Sequence, residues 1–243
     1  MNLILDIGNT RTKIAIFSNG QLKYYTAISE ISVDYLAKLI DQQGEVHRAI
    51  VAATGAFGDE VKEWLQQNIS FFLQLSADLS FPFQIKYRTR HTLGNDRIAG
   101  VSGAQVMFPH KNCLVIDAGT AITYDLIDAE GIYWGGNISP GISMRFQALH
   151  TFTQKLPLIH PEGEIPTVGY STETAIRSGV VLGVIYEIER YIRELVGQYN
   201  DLQVLLTGGD AVFLADKINY PIFADEFLVL KGLNRILEYN AHT

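Results

Sequence analysis

Cysteine is nearly absent: Cys113 is the only one in 243 residues. An internal disulfide and a cysteine-built metal cage are therefore both excluded. The residue stands in an apolar run leading to Asp117, the setting of an inert, buried thiol. No uncharged apolar run approaches the ~20 residues needed to cross a bilayer. The greasiest stretch, Gly179 to Tyr186, is followed at once by Glu187, Glu189 and Arg190. Basic charge is scarce too. The 19 Lys and Arg against 26 Asp and Glu leave a formal net charge of −7, which argues against a nucleic-acid surface. His47, His91, His110, His150, His160 and His242 show no metal-ligand spacing. There is no Gly-x-Ser-x-Gly elbow, no Ser-His-Asp order and no Walker A Gly-Lys-Ser/Thr. No low-complexity tract or obvious linker breaks the chain. The first residues read as a strand rather than a secretion signal, so a soluble, cytoplasmic protein is expected.

What the chain does have is one short pattern used twice. Leu3-Ile4-Leu5-Asp6-Ile7-Gly8-Asn9-Thr10 and Leu114-Val115-Ile116-Asp117-Ala118-Gly119-Thr120 each run an apolar strand into an Asp, a Gly turn and a Thr. A second apolar stretch follows each, Lys13 to Phe17 and Ile122 to Ile127. Glycine lets backbone amides approach an anion closely. The Thr hydroxyl and turn amides can donate to phosphate oxygens, and the Asp can hold a metal or its water shell. One copy could be a plain hairpin turn. Two at matching places argue for a duplicated domain that grips a phosphorylated ligand, since acidic residues ending buried strands are costly unless they bind something.

Periodicity and turn signals place the elements around these motifs. Strands are expected at 2–5, 13–17 and 21–26, the last two joined by the Asn19-Gly20 hairpin turn. A helix over 33–43 carries Ser32 as its N-cap, and a strand spans 46–53. A further helix, capped by Asp59, runs to about Gln67. The 81–94 segment, with Pro82, Lys86, Arg88 and Arg90, reads as strand then loop, and a helix runs from Asp96 to Phe108. The hairpin theme returns at 113–116, 122–127 and 132–136, followed by a turn-rich loop over 135–141 and a helix near Ser143. A long helix spans 174–196, a strand 203–206, and a last helix starts at Asp225. The order implies mixed sheets with helices on their faces, and the repeat alone sets a boundary near 109–113: domains 1–110 and 111–243. Ile176, Val180, Val181, Val184, Ile185, Ile188 and Ile192 exceed a single apolar stripe, so a dimer interface on the long helix is expected.

Two more constellations have both bland and chemical readings. Asp96 in Gly94-Asn95-Asp96-Arg97 begins a helix, where an Asp is most often a cap. Thr207-Gly208-Gly209-Asp210-Ala211 follows a buried strand and opens a helix, either an ordinary turn or a place for a nucleotide.

Taken in order, the set resembles the type III pantothenate kinases of the acetate and sugar kinase/Hsp70/actin superfamily. The resemblance runs through Asp6–Lys13, Tyr87 with Gly94–Arg97, Asp117–Ala121, Gly135–Gly141, Thr172 with Ala175-Ile176-Arg177-Ser178-Gly179, and Thr207–Ala211. It implies an α/β fold of two duplicated RNase H-like (actin-like ATPase) domains and a homodimer. It assigns Asp6, Ile7, Gly8, Asn9, Thr10, Arg11, Thr12, Lys13 and Thr120 to ATP, and Asp96 as the general base. Tyr87, Gly94, Asn95, Asp96, Arg97 and Thr172 would meet pantothenate, and Asp117 would hold a monovalent cation (K⁺ or NH₄⁺), with Mg²⁺ arriving on ATP. Two departures stand out. Asn95 replaces a small apolar residue, and Val51-Ala52-Ala53-Thr54-Gly55 replaces a Ser-Val-x-Pro type stretch.

The implied reaction moves the ATP γ-phosphoryl to the primary hydroxyl of pantothenate, the first step toward coenzyme A. Partners would be ATP and pantothenate, with no nucleic acid and no membrane. Two alternatives stay open: another phosphotransferase on the same fold, and a non-enzymatic regulator, since this family has also carried a transcription-accessory label.

Overall fold

The computed structural model describes residues 1–8, 11–53 and 57–241. Two compact units emerge, one of residues 1–107 with 227–243 and the other of residues 108–226.

The first unit is built on a sheet of five strands: β1 (Asn2–Ile7), β2 (Thr12–Ser18), β3 (Gln21–Ile28), β4 (Arg48–Ala53) and β5 (Phe71–Gln74), ordered β3-β2-β1-β4-β5. The β1–β2 and β2–β3 pairs are antiparallel, whereas β1–β4 and β4–β5 are parallel. Leu3, Ile4 and Leu5 are all fully buried. Such an unbroken apolar run is what a central strand covered on both faces requires. Helix α1 (Val33–Gln43) starts where Ser32 Oγ accepts the Tyr35 amide, as its sequence signature predicts. Helix α2 (Asp59–Asn68) corrects a detail: Gly58 occupies the cap position without a side-chain bond, and Asp59 is already helical. Strand β5 is half-buried and four residues long, too short for its alternation to be legible. A two-residue strand β6 (Gln84–Ile85) and a 3₁₀ turn at Arg90–Thr92 precede helix α3 (Asn95–Met107).

The second unit repeats the scheme. Its strands β7 (Cys113–Ala118), β8 (Ala121–Ile127), β9 (Ile132–Pro140), β10 (Gln203–Thr207) and β11 (Phe223–Ala224) follow the order β9-β8-β7-β10-β11. Antiparallel and parallel pairs fall at the same places. This is the duplicated RNase H-like arrangement. Strand β9 absorbs most of the stretch expected to be turn-rich. It can do so because Gly136 lies against Tyr124, where a Cβ would fall 1.5 Å from the Tyr124 carbonyl oxygen. Helices α4 (Ile142–Phe152), α5 (Thr172–Val196) and the short α6 (Ala211–Ala215) complete the unit. The seven aliphatic residues of α5 named above are all buried in the unit's own core with Leu114, Ile116, Ile122 and Leu206. The apolar surplus expected to face a second chain is used internally.

Helix α7 (Leu228–Ala241) is the other difference from the sequence expectation, which placed it within 111–243. It belongs to the first unit. The reason is a backbone-to-backbone crossing with α3. A Cβ on Gly232 would stand 1.8 Å from the Ala99 carbonyl oxygen, and one on Gly103 would stand 2.2 Å from that of Leu228. Asn234, nearly buried on α7, adds a side-chain bond from Asn2 Nδ2 at 2.8 Å.

Candidate active site

In the first unit, antiparallel pairing of β1 with β2 sets Asp6 opposite Lys13, and Lys13 Nζ lies 3.9 Å from Asp6 Oδ2. The turn that follows is closed by the Gly8 amide donating to the Arg11 carbonyl at 3.0 Å. The Asp6 carboxyl is raised above the ordinary carboxylate range. Burial is the main cause; Lys13 opposes it, and the negative charge of Asp96 adds to it. The topology explains why Asp96 is felt there. Strand β4 runs parallel to β1 and places Ala53 beside Ile7. Asn95 Nδ2 donates to the Ala53 carbonyl at 3.4 Å, tying the start of α3 to these strand ends.

Asp96 is not a helix cap. The Gly94 carbonyl already accepts the Ile98 amide, and the Asp96 carboxylate takes the Arg97 amide at 2.9 Å. Gly94 makes room for that carboxylate, because a Cβ there would stand 2.4 Å from Asp96 Oδ1. The nearly buried Arg97 guanidinium sits over the Tyr87 ring at 5.5 Å from its centroid, a cation–π contact that orients both groups.

The second unit presents the matching strand end. Its turn is one residue tighter, with the Gly119 amide donating to the Ala121 carbonyl at 3.0 Å. Gly141 packs against that turn, its amide donating to the Thr120 carbonyl at 3.0 Å. Gly208 carries a φ of +96° and lies against Asp117: a Cβ would be 2.4 Å from both Asp117 Oδ1 and the Ala118 carbonyl oxygen. Only glycine satisfies that backbone angle and that approach together. The Asp210 amide donates to the Ala118 carbonyl at 2.9 Å, and burial raises the Asp210 carboxyl. Thr172, exposed, occupies the first turn of α5.

A carboxylate at a strand end, an adjoining Gly turn and a second carboxylate held in a helix's first turn form a set suited to phosphates and a proton-donating hydroxyl. The sequence profile of type III pantothenate kinases matches residues 2–194. The chain belongs to that family. The type III pantothenate kinase of Phocaeicola vulgatus is 47% identical over 240 residues, 99% of each chain. Among solved structures, a Campylobacter jejuni protein described as a candidate Baf family transcriptional activator is 23% identical. It covers 99% of this chain and 100% of its own, with a TM-score of 0.63. A ROK family glucokinase from Streptomyces griseus, solved with glucose and AMPPNP, is 13% identical over 100% and 99% of the two chains, with a TM-score of 0.54. At these identities the two structures speak for fold alone, the actin-like ATPase arrangement already visible in the strand order.

Seen as a type III pantothenate kinase, the first unit brings Asp6, Gly8, Lys13, Asn95, Asp96 and the Tyr87–Arg97 pair to neighbouring strand and helix ends. Ile7 and Thr12 pair at the hairpin's close, and Arg11 is exposed. Asn9 and Thr10, also assigned to ATP, lie outside the described residues, as do Thr54 and Gly55. The second unit groups Asp117, Thr120, Gly141 and the 207–210 turn, and holds Thr172 elsewhere, on α5. Among the described residues no cluster of three or more His, Cys, Asp or Glu could form a metal cage. Asp117 Oδ1 and the Ala118 carbonyl oxygen both lie against Gly208, hard oxygen atoms of the kind a monovalent cation takes.

Sequence reasoning missed a polar cluster behind α4. Glu187 accepts from Tyr124 Oη at 2.8 Å, Ser139 Oγ at 2.5 Å and Arg145 Nη2 at 2.6 Å. Burial raises the Glu187 carboxyl, but these bonds together outweigh it and leave the group below its usual range. No spacing in the chain announces a cluster drawn from β8, β9, α4 and α5.

Proposed function

We propose that the protein uses ATP to phosphorylate pantothenate to 4′-phosphopantothenate, the first step of coenzyme A biosynthesis. Beside the family match, the observation that carries this reading is Asp96: a carboxylate in the first turn of α3, given its place by Gly94 and close enough to Asp6 to alter its ionisation. Asp96 accepts the proton of the substrate's primary hydroxyl as its oxygen bonds to the γ-phosphorus, and ADP leaves. Such transfer depends on positioning and charge neutralisation more than on covalent help. The 6–13 segment and Thr120 hold the ATP phosphates, while Tyr87, Gly94, Asn95, Arg97 and Thr172 hold pantothenate. Arg97 offers the forked donors that suit an anionic group. Mg²⁺ on ATP, with Asp6 facing its water shell, and K⁺ or NH₄⁺ beside Asp117 would supply the positive field that lets phosphates sit near carboxylates.

The protein acts as a cytoplasmic homodimer with neither nucleic acid nor membrane as partner. Charge supports the first exclusion, and no helix among the described residues is long and apolar enough to cross a bilayer. Exposed Phe152, Val168, Tyr170 and Tyr186 on the second unit support the dimer. The deciding assay measures ADP release with pantothenate, Mg²⁺ and K⁺, and identifies the product by mass. Pantothenate-dependent turnover with a phosphorylated product is expected. Turnover only with sugars, acetate or polyphosphate would mean another phosphotransferase, and none with any acceptor would mean a non-enzymatic protein.

A further inference from the structure

Between α4 and α5 the chain runs through residues 153–171 without regular structure. Leu156, Ile159 and Ile165 pack partly against the core, while Val168 and Tyr170 are 78% and 71% exposed. A strap with so little apolar burial depends on a few polar ties for its position. The firmest comes from Arg177, one turn and a half into α5. Its Nε donates to the His160 carbonyl at 3.0 Å and its Nη2 to Glu173 Oε1 at 2.5 Å. Arg177 is only 7% exposed, while the Glu173 side chain stands 60% exposed, so the bond to the His160 carbonyl is the inner of the two ties. The strap lies directly on the guanidinium at Gly163, where a Cβ would stand 2.9 Å from Cζ. Further along, Gly169 meets α5 so closely that a Cβ would fall 2.3 Å from the Ala175 Cα. The Tyr170 and Ser171 amides both donate to Thr174 Oγ1, at 3.0 and 2.9 Å. The strap therefore feeds directly into Thr172. Leu156, near the start of the strap, also borders an open, mostly apolar pocket of about 730 Å³, shared with Arg145 and Leu149 of α4 and Thr172, Ala175 and Gly179 of α5.

We infer that Arg177 is a positioning residue for pantothenate: its buried guanidinium bolts the 160–163 stretch to α5 and so holds the strap that leads into Thr172 and carries Leu156 into the pocket wall. The inference rests on the reading that Thr172 meets the substrate. Arg177 touches neither reacting group, so its loss should alter how well pantothenate is held and leave the chemistry alone. Lysine keeps the charge but lacks the fork that reaches the His160 carbonyl and Glu173 together.

The test uses the full-length enzyme, with pantothenate varied at saturating ATP and ATP varied at saturating pantothenate. In Arg177→Lys the KM for pantothenate should rise about tenfold, the worth of one lost hydrogen bond. The values of kcat and of the KM for ATP should stay within about twofold, a split that loss of uniform binding predicts. Gly163→Ala, which strains a backbone held at a φ of +120° and presses on the guanidinium from the strap side, should give the same split with Arg177 itself unchanged. In a Thr172→Val background, Arg177→Lys should add little. An active wild type whose folded Arg177→Lys and Gly163→Ala variants keep the wild-type KM for pantothenate overturns the inference alone. So does a fall in kcat with unchanged KM. A wild type inactive with pantothenate overturns the functional reading and the inference with it.

Discussion

Asp6 and Lys13 face each other across the first hairpin with 3.9 Å between Oδ2 and Nζ, yet the pair does not hold the carboxyl at its usual acidity. Burial outweighs the lysine, Asp96 adds repulsion, and the Asp6 carboxyl is raised. The strand end thus carries an ionisable group in an unfavourable place until a cation-bearing ligand arrives. That is a common signature of a working site.

Asp6→Asn should lose kinase activity by about 10²-fold or more, as when one preorganised electrostatic group is removed, while gaining thermal stability at neutral pH. The sign follows from the raised folded-state pKa. Protonated Asp6 favours the native state; that contribution is full below the ordinary carboxylate pKa and is lost as pH rises through the raised value. The melting-temperature gap between variant and wild type should therefore be widest at neutral pH and close toward pH 4. A variant less stable than wild type at pH 7 would contradict this.

Asp96→Asn should lower turnover by about 10²–10⁴-fold, the usual worth of a general base, with ATP still bound and the fold intact. The Asn amide oxygen can still accept the Arg97 amide that Asp96 takes at 2.9 Å, so the first turn of α3 keeps that bond. Gly94→Ala should fall in the same direction through displacement of the Asp96 carboxylate. Near-wild-type rates in a folded Asp96→Asn protein would remove it from the mechanism.

Exchanging K⁺ for Na⁺ or Tris should sharply lower turnover if Asp117 holds a monovalent cation, and Asp117→Asn should reproduce the loss in K⁺ buffer. Gly208→Ala offers an independent check. Its Cβ would intrude on Asp117 Oδ1 and the Ala118 carbonyl oxygen, each at 2.4 Å. Equal rates in all three buffers would discard the cation.

Glu187→Gln should destabilise the protein by about 1.5–3 kcal/mol, the range for hydrogen bonds to a charged group. The folded-state pKa is lowered, so its contribution is present above the ordinary carboxylate pKa and disappears as pH falls through the lowered value. Denaturation at pH 7 and at pH 3 should show a clear gap between variant and wild type at the first and little at the second.

Cys113, fully buried, has its thiol pushed up to about 12 by burial. A thiol reagent at pH 8 should leave the native protein unmodified and label one site per chain once it is unfolded. Rapid native labelling would contradict the packing.

Much of this protein is legible in its chain because the informative patterns are local. The short apolar strands, the Ser32 cap and the Asn19-Gly20 turn follow from neighbours in sequence. The doubled Asp-x-Gly pattern marks both strand ends and so the duplication itself. What the tertiary structure decided are relations among residues far apart in sequence. The return of α7 to the first unit depends on Gly103 and Gly232 letting two helices touch backbone to backbone, and isolated glycines in a helical pattern announce no partner. The aliphatic surplus of α5 reads as a surface for another chain; only the surrounding sheet and α4 show that its own unit consumes it. The assignment of Asp96 to chemistry or to a cap turns on where α3 begins, a boundary that propensity places within a residue or two at best. The raised carboxyl of Asp6, the lowered one of Glu187 and the bolt at Arg177 are likewise products of burial and distance, which arise only once the chain has folded.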